Sequence, residues 1–447
     1  MLKRVRTGFL ALVLAGAATP AALAQDKPPQ TLITNVHVFD GKTEQRSENA
    51  SVLIEGNLIK SISTDPISAD GATVIDGGGR TLMPGLIDAH VHLWWNTPVS
   101  CVLGCPESYL TSLALKEAEA TLMRGYTTVR DTSGPVLGMK RAIDEGLFPG
   151  PRIYASAAGL GMTSGHADFR TQETAPRILG GPAWTDVERA GMSVLVDGVP
   201  EVLAGARMQM RKGAHFLKAY VSGAVSGLYD PLDITEFSFD EVKAAADEAK
   251  RWNTYLAVHT YTDHATQQAL NAGAMSIEHA TIITKQTMKL LVEKGAYLST
   301  QTGVYLQEPA ADWNDDQKAK QLEAQEGLDR LMKLAKQYGA KIAIGTDLVG
   351  VASEKYKQAF ELTNRLKWFT PFEILNQAMV NNAELMSWSG PRNPYKEGPL
   401  GVIAEGAYAD ILLVNGNPLE DLTLLNRPEE SLALIMKDGV IYKNMVE

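Results

Sequence analysis

The chain has 447 residues, of which 45% are hydrophobic and 21% charged, and its formal net charge is -10. This length suits one large domain together with a smaller one. The acidic balance argues against nucleic acid and against an anionic membrane surface as binding partners.

The first 24 residues have the pattern of a secretory signal peptide. Basic residues near the start precede an apolar stretch from Gly8 to Gly16, and Ala22-Leu-Ala24 provides a cleavage pattern before Gln25. The apolar stretch is short for a membrane anchor. We therefore predict an exported protein, periplasmic or secreted, with no membrane association after cleavage.

Short strand patterns with turn signals occupy both ends of the mature chain. They cover residues 31–38, 50–63 and 73–76 near the start, and residues 409–414, 432–437 and 440–443 near the end. Because a chain can leave a domain and re-enter it without knotting, we predict one small β-sandwich domain formed by residues 25–82 and 396–447.

The middle of the chain, residues 83–395, alternates strand and helix patterns. The eight candidate strands are Gly85–His92, Thr127–Ser133, Arg152–Leu160, Phe216–Ser222, Tyr255–Tyr261, Ser276–Thr281, Tyr297–Thr302 and Lys341–Leu348. Eight strands with intervening helices predict an α/β fold, a (β/α)8 TIM barrel. A doubly wound open sheet is the alternative, although no glycine-rich phosphate loop follows the first strand. The long segment 161–199 lacks strong periodicity and is typical of a functional loop.

The two cysteines, Cys101 and Cys105, lie four residues apart after the first barrel strand. An oxidising compartment would permit a local disulfide, and two free thiols are the alternative. A zinc site made only of cysteines needs more than two of them.

Polar side chains lie at or near the carboxyl ends of several predicted strands. His90 and His92 end the first strand, and residues two apart in a strand point to the same face. The others are Lys218 on strand four, His259 on strand five, His279 on strand six and Asp347 after strand eight. Barrel enzymes place their catalytic residues at this end. Taken singly, each has a plainer interpretation: a lysine paired with a carboxylate, satisfied core histidines, or an aspartate that caps a helix.

Together these stretches resemble the amidohydrolase superfamily of metal-dependent hydrolases. The matching stretches are Pro84-Gly-Leu-Ile-Asp-Ala-His-Val-His92, Lys218, Ser276-Ile-Glu-His279, Gly345-Thr-Asp347 and Gly406-Ala-Tyr-Ala-Asp-Ile-Leu-Leu-Val414. Within the superfamily, the chain is similar to the imidazolonepropionase-like branch, which contains Xaa-Pro dipeptidase-like, carboxypeptidase-like and ochratoxin-hydrolysing enzymes. The stretches behind this second resemblance are Thr128-Val-Arg-Asp131, Ser164-Gly-His-Ala-Asp168, Asp197-Gly-Val-Pro-Glu201 and Lys218-Ala-Tyr-Val-Ser-Gly223.

The resemblance implies two divalent metal ions, zinc by preference. His90, His92 and Asp347 would hold the more buried ion, and His259 and His279 the other. Lys218 would bridge the ions as a carbamate formed with carbon dioxide, because an ammonium group has only hydrogen-bond donors and cannot bind a cation.

The metal pair would lower the pKa of a bridging water, and the resulting hydroxide would attack the scissile carbonyl. Asp347 would take up the proton and pass it to the leaving nitrogen. Tyr220 and His166 are candidate catalytic residues that would stabilise the oxyanion, or a substrate carboxylate in the case of His166. A packing role for Tyr220 and an ordinary loop position for His166 are the alternatives.

The leading functional hypothesis is cleavage of the amide bond of a C-terminal amino acid in dipeptides, N-acyl amino acids or ochratoxin A-like amides. Ring hydrolysis of a cyclic amide or lactone is the alternative reaction, and a non-catalytic relative that keeps the fold is the alternative class. The resemblance also implies a homo-oligomer. An apolar mouth suited to bulky substrates is expected from Trp94, Trp95, Leu160, Met162, Tyr305 and Leu306.

Overall fold

The computed structural model describes residues 28–68, 70–310 and 313–446. The predicted signal peptide lies outside the described residues. Within them, no helix combines the length and the apolar character needed to cross a membrane.

The strands are, in chain order, β1 (Gln30–Val38), β2 (Ser47–Glu55), β3 (Leu58–Ser63), β4 (Thr73–Pro84), β5 (Leu86–Val91), β6 (Tyr126–Asp131), β7 (Arg152–Ala155), β8 (Gly159–Gly161), β9 (Ser193–Leu195), β10 (Leu217–Tyr220), β11 (Leu256–Thr260), β12 (Ser276–His279), β13 (Tyr297–Thr300), β14 (Lys341–Ile344), β15 (Ile411–Val414), β16 (Leu432–Lys437) and β17 (Val440–Asn444). The α-helices are α1 (Val99–Gly104), α2 (Glu107–Met123), α3 (Leu137–Asp144), α4 (Asp186–Arg189), α5 (Val199–Lys212), α6 (Phe239–Arg251), α7 (Asp263–Ala272), α8 (Lys285–Lys294), α9 (Gly303–Leu306), α10 (Asp315–Tyr338), α11 (Phe360–Asn364), α12 (Pro371–Asn376), α13 (Asn382–Ser387) and α14 (Pro428–Ser431). A π turn, Gln377–Asn381, joins α12 to α13.

Both ends of the chain form one seven-stranded sheet in the order β17-β16-β15-β4-β1-β2-β3. The two ends of the chain share one apolar core. They also meet at β3, where the amide of Ile59 donates to the carbonyl of Ala407 at 2.8 Å. This arrangement confirms the small β domain built from both ends.

Strand β4 is longer than the predicted 73–76 and runs on to Pro84. The strand continues through the triple glycine 77–79, which lies at an irregularity in the pairing of β4 with β1. A Cβ atom at Gly77 would lie 2.1 Å from a methyl group of Val36, so a larger residue does not fit there.

The middle of the chain forms the predicted (β/α)8 barrel. Its strands, in order around the barrel, are β5, β6, the consecutive short strands β7 and β8, which together take the third position, and then β10 to β14. The barrel closes where the amides of Thr346 and Asp347 donate to the carbonyl of His90 at 3.2 and 2.8 Å. The third predicted strand is broken between β7 and β8, where Ala157 has a φ of 57°. Strand β9, which pairs with β8, gives the predicted irregular segment 161–199 a strand of its own.

Gly345 lies at the closure of the barrel. A Cβ atom at this position would be 2.4 Å from Cβ of His90 and 2.8 Å from its backbone nitrogen. Only glycine therefore lets the end of β14 approach β5 this closely.

We expect Gly345→Ala to lower the free energy of unfolding by about 1 to 3 kcal/mol, because the added methyl group must push β5 and β14 apart. Thermal unfolding followed by circular dichroism measures the effect. Gly138→Ala is the matched control, because Gly138 lies in α3 with no other atom near its Cβ position. Equal stability of the two variants would contradict the close approach.

Candidate metal centre and active site

The six predicted metal ligands converge at the carboxyl end of the barrel. His90 is in β5 and His92 follows it, while Lys218, His259 and His279 are in β10, β11 and β12. Asp347 follows β14 and is half-buried, whereas the other five are buried. Parallel strands thus bring these side chains to one edge, as the sequence predicts.

Asp347 is the centre of the cluster. Its Oδ1 atom lies 3.1 Å from Nε2 of His92 and 3.4 Å from Nε2 of His90, and its Oδ2 atom lies 3.9 Å from Nδ1 of His279. His90, His279 and Asp347 each offer a ligand atom within 4.8 Å of the others, which is close enough to share one metal ion. The rings of His259 and His279 are 4.4 Å apart.

Two buried nitrogen atoms in the cluster have no partner in the described part of the chain that explains their burial. Nζ of Lys218 and Nε2 of His259 have no hydrogen-bond partner among the described residues. Buried polar atoms in native proteins are almost always satisfied, so each unsatisfied atom needs an explanation. Imidazole nitrogen and anionic oxygen are ordinary ligands of Zn²⁺, and the donor set therefore fits a divalent ion.

The backbone of two of these residues is unusual. His279 has a φ of 69° and Asp347 has a φ of 53°, in the left-handed region that residues other than glycine rarely adopt. Such conformations cost free energy and cluster at functional sites. Asp347 does not cap a helix, because the next helical element, a 3-10 helix, begins only at Ala352.

Buried partners orient the first two histidines. Nδ1 of His90 donates to Oε2 of Glu278 at 2.9 Å, and both carboxylate oxygens of Glu278 accept from Arg130 at 2.8 and 2.9 Å. Nδ1 of His92 donates to the carbonyl of Ser133 at 3.1 Å. In both rings Nε2 is therefore left free to bind a metal ion. Sequence reasoning missed the pair of Arg130 and Glu278, although both residues lie in the quoted stretches.

Burial controls the charge of the cluster. It lowers the pKa of His279 to about 3 and the pKa of His259 well below its usual range, so both rings are neutral. It also lowers the pKa of Lys218 to about 8. Nζ of Lys218 has no hydrogen-bond partner among the described residues. This argues against the alternative interpretation, in which the lysine pairs with a carboxylate. For Asp347, burial is outweighed by His90 and His92, which hold its pKa below its usual range.

His166 and Tyr220 both lie beside the metal ligands. The ring of His166 stacks on His259 with 4.7 Å between the centroids, and the ring of Tyr220 is 5.6 Å from His259. Nδ1 of His166 contacts Oδ2 of Asp230 at 3.0 Å, and its backbone amide donates to Glu236 at 2.6 Å. Sequence reasoning missed Asp230 and Glu236, which follow β10 in a loop without a recognisable motif.

The expected apolar mouth needs correction. Trp94, Leu160 and Tyr305 are buried in the hydrophobic clusters and do not form an exposed apolar surface. Trp95 is half-buried and contacts Phe169 at 5.9 Å between ring centroids. Met162 is also half-buried, and Leu306 is exposed.

A disulfide joins Cys101 and Cys105 across α1, which is one of the two alternatives that the sequence leaves open. Both cysteines pack against the cluster that holds Trp94 and Val102. The bond therefore stabilises the segment after β5 and has a structural role.

The remaining histidines are not part of the candidate cluster. Nδ1 of His215 accepts from the amide of Ala155 at 2.8 Å, and Nδ1 of His264 contacts the hydroxyl group of Thr235 at 2.8 Å. His37 is in β1 of the small domain.

Comparison with known families decides the identity. A model of the amidohydrolase family matches residues 81–447. The chain belongs to the amidohydrolase family. It is thus an enzyme that hydrolyses amide bonds, and its cluster is a candidate site for the metal on which amidohydrolases typically depend.

The relatives of this amidohydrolase confirm the predicted branch. Ochratoxinase from Aspergillus niger is 29% identical over 375 residues, which cover 81% of this chain and 75% of the relative. Imidazolonepropionase from Deinococcus radiodurans is 26% identical over 83% of this chain and 86% of its own. The crystal structure of a prolidase complexed with N-methylphosphonate-L-proline has a TM-score of 0.86 and 30% identity, covering 93% of this chain and all of the other.

The charge of His92 predicts how metal affinity depends on pH. Burial disfavours its charged form, but Asp347 and Asp131 outweigh burial and raise the pKa of His92 above the ordinary 6.5. Because a metal ion binds only the neutral ring, affinity should rise with pH below that pKa, by about tenfold per unit for one released proton. Competition with a chromophoric chelator between pH 6 and 8 measures this dependence, with His37→Gln as the control. An affinity that does not change with pH would contradict the assignment of His92.

Proposed function

We propose that this amidohydrolase is a binuclear metal enzyme that cleaves the amide bond of a C-terminal amino acid in dipeptides, N-acyl amino acids or ochratoxin A-like amides. The observation that carries the metal assignment is the pair of unsatisfied buried nitrogens, Nζ of Lys218 and Nε2 of His259, beside the cluster of His90, His279 and Asp347. The ochratoxinase and prolidase relatives support the substrate class.

In this proposal His90, His92 and Asp347 would hold one ion, and His259 and His279 would hold the other. The neutral amine of Lys218 would combine with carbon dioxide, release one proton and, as a carbamate, offer anionic oxygens to both ions. Only the neutral amine undergoes that reaction, and a pKa lowered to about 8 by burial makes the neutral form accessible. Two divalent ions, zinc by preference, supply Lewis acidity and activate water when bound.

The side chains of this chain perform the proton transfers and hold the substrate. Asp347 accepts a proton from the attacking water and delivers it to the leaving nitrogen. Its carboxylate is ionised, because its pKa is held below the usual range. His166 and Tyr220 lie on the side of His259, where they stabilise the oxyanion or a substrate carboxylate. Asp230 orients His166 through Nδ1, so that Nε2 of His166 is the nitrogen available to substrate.

Metal analysis tests the proposal directly. We expect two ions per chain, loss of activity on chelation, and recovery when zinc is restored together with bicarbonate. Full activity with a single ion, or activity that survives complete removal of metal, would contradict the binuclear assignment. Omitting bicarbonate during reconstitution tests the carbamate separately, because recovery should then be slow or incomplete.

Ring hydrolysis of a cyclic amide or lactone by the same centre is the second candidate, and the imidazolonepropionase relative favours it. Incubation with cyclic amides and lactones, followed by product identification, separates it from the first. For the cellular setting we propose export to the periplasm or the medium, where an oxidising compartment would preserve the disulfide of Cys101 and Cys105. The predicted homo-oligomer stays a prediction.

A further inference from the structure

The seventh barrel strand, β13, supplies no predicted ligand, but the residue after it reaches the metal centre. This residue is Gln301, and its side chain is fully buried. Its Oε1 atom lies 2.7 Å from Nδ1 of His279, and its Nε2 atom lies 3.3 Å from Nδ1 of His90. Gln301 thus contacts one proposed ligand of each ion.

The surroundings determine which way the amide of Gln301 faces. Its NH₂ group lies 3.4 Å from the carbonyl of Ser299, which can only accept a hydrogen bond. The oxygen faces His279 and lies 2.7 Å from its Nδ1 atom. Nδ1 of His90 donates to Glu278, so the NH₂ group of Gln301, 3.3 Å away, forms no hydrogen bond with it.

An amide oxygen can only accept a hydrogen bond, so Nδ1 of His279 must carry the proton. The other ring nitrogen, Nε2, then has a free lone pair for a metal ion. Tyr305 contacts the same Nδ1 atom at 3.1 Å through a hydroxyl group that can also accept, and this hydroxyl is 2.8 Å from that of Tyr261. No partner of Nδ1 therefore conflicts with this tautomer.

The backbone on both sides of Gln301 is held in place by a buried ion pair. The carboxylate of Glu361 accepts from the amides of Thr302 at 3.0 Å and Gly303 at 2.8 Å. Arg365, which pairs with Glu361 at 2.8 Å, donates to the carbonyl of Thr300. Gln301 is therefore fixed by groups that do not themselves touch the metal centre.

We propose that Gln301 is a positioning residue that fixes the tautomer and ring orientation of His279, and thereby sets the affinity of the ion that His279 and His259 would share. The inference rests on the proposed function. It extends to β13 the arrangement in which Glu278 orients His90 and the carbonyl of Ser133 orients His92.

Three variants test the proposal by metal titration rather than by activity. Gln301→Met keeps the length of the side chain but removes the acceptor. The affinity for one of the two ions should therefore fall by about 10- to 100-fold. Gln301→Glu keeps an acceptor and should stay within about threefold of the parent protein. Gln209→Met is the matched control, because Gln209 is equally buried. Among the described residues, its side chain forms hydrogen bonds only with the backbone of Ala158 and Gly205.

Titration with Co²⁺ adds a spectroscopic measurement, because the absorption of bound Co²⁺ reports its ligand geometry. The spectrum should change in Gln301→Met and not in Gln209→Met. If the parent protein binds two ions and Gln301→Met binds both equally well with an unchanged spectrum, the inference is overturned and the proposed function stands. If the parent protein binds no ions, the proposed function itself fails.

A second measurement does not depend on whether any Gln301 variant folds. Long-range ¹H–¹⁵N spectra of the metal-free protein, labelled with ¹⁵N-histidine, show which nitrogen of His279 carries the proton. His279→Gln identifies its signals. A proton on Nδ1 supports the inference, and a proton on Nε2 overturns it.

Discussion

Replacing Asp347 with Asn should lower kcat/KM by about 10³-fold or more, because the change removes both a proton acceptor and an anionic ligand. The carboxylate lies between Nε2 of His92 and Nε2 of His90, at 3.1 and 3.4 Å. An amide in the same place cannot take up a proton at neutral pH. The loss should therefore appear in kcat even in protein that is fully loaded with metal.

Asp240→Asn is the control for this substitution, since Asp240 is exposed in the first turn of α6 and has no role in the proposed metal centre. Circular dichroism and the Tm of both variants show whether the fold is kept. A folded Asp347→Asn variant that retains more than about one tenth of the parent activity would refute the role assigned to Asp347.

Replacing Lys218 with Met should abolish turnover and the binding of the second ion, because methionine cannot form a carbamate. The same change should stabilise the metal-free protein by about 1 to 3 kcal/mol, since it removes a buried amine that has no partner among the described residues. Loss of activity with a gain in stability is a combination that a damaged fold cannot produce.

Lys437→Met is the matched control, because Lys437 is also buried but lies in β16 of the small domain. It should leave the metal content and the activity unchanged. Lys218→Ala, in which the side chain is shortened, should regain part of its activity when short carboxylic acids are added, because their oxygens can occupy the place of the carbamate. Failure of this rescue together with a normal metal content in Lys218→Met would contradict the bridging role.

Much of the fold and the convergence of the six candidate ligands at one end of the barrel were predictable, because strand and helix patterns are local features of the sequence. Alternating strand and helix patterns predict the barrel. Because parallel strands place their carboxyl ends at one edge, residues such as His90, Lys218 and Asp347 were expected to meet there. The glycine of the Gly345-Thr-Asp347 stretch was part of the family resemblance, and the structure gives its physical reason in the contact with His90.

The partners of the ligands could not be predicted, because they depend on packing between residues far apart in the sequence. His90 and Glu278 are 188 residues apart, and His166 and Asp230 are 64 apart. Gln301 was included in a predicted strand without a role, and nothing local indicates that its amide turns toward His279. The apolar mouth failed for the same reason, since position after a strand end does not tell which side of the chain a tryptophan faces.

The most direct test of the account is a product-identified hydrolysis assay of the metal-loaded enzyme with N-acyl amino acids, dipeptides and ochratoxin A. We expect release of the free C-terminal amino acid, at rates that depend on the metal and vanish on chelation. Ring opening of cyclic amides or lactones without any release of a C-terminal amino acid would contradict the account.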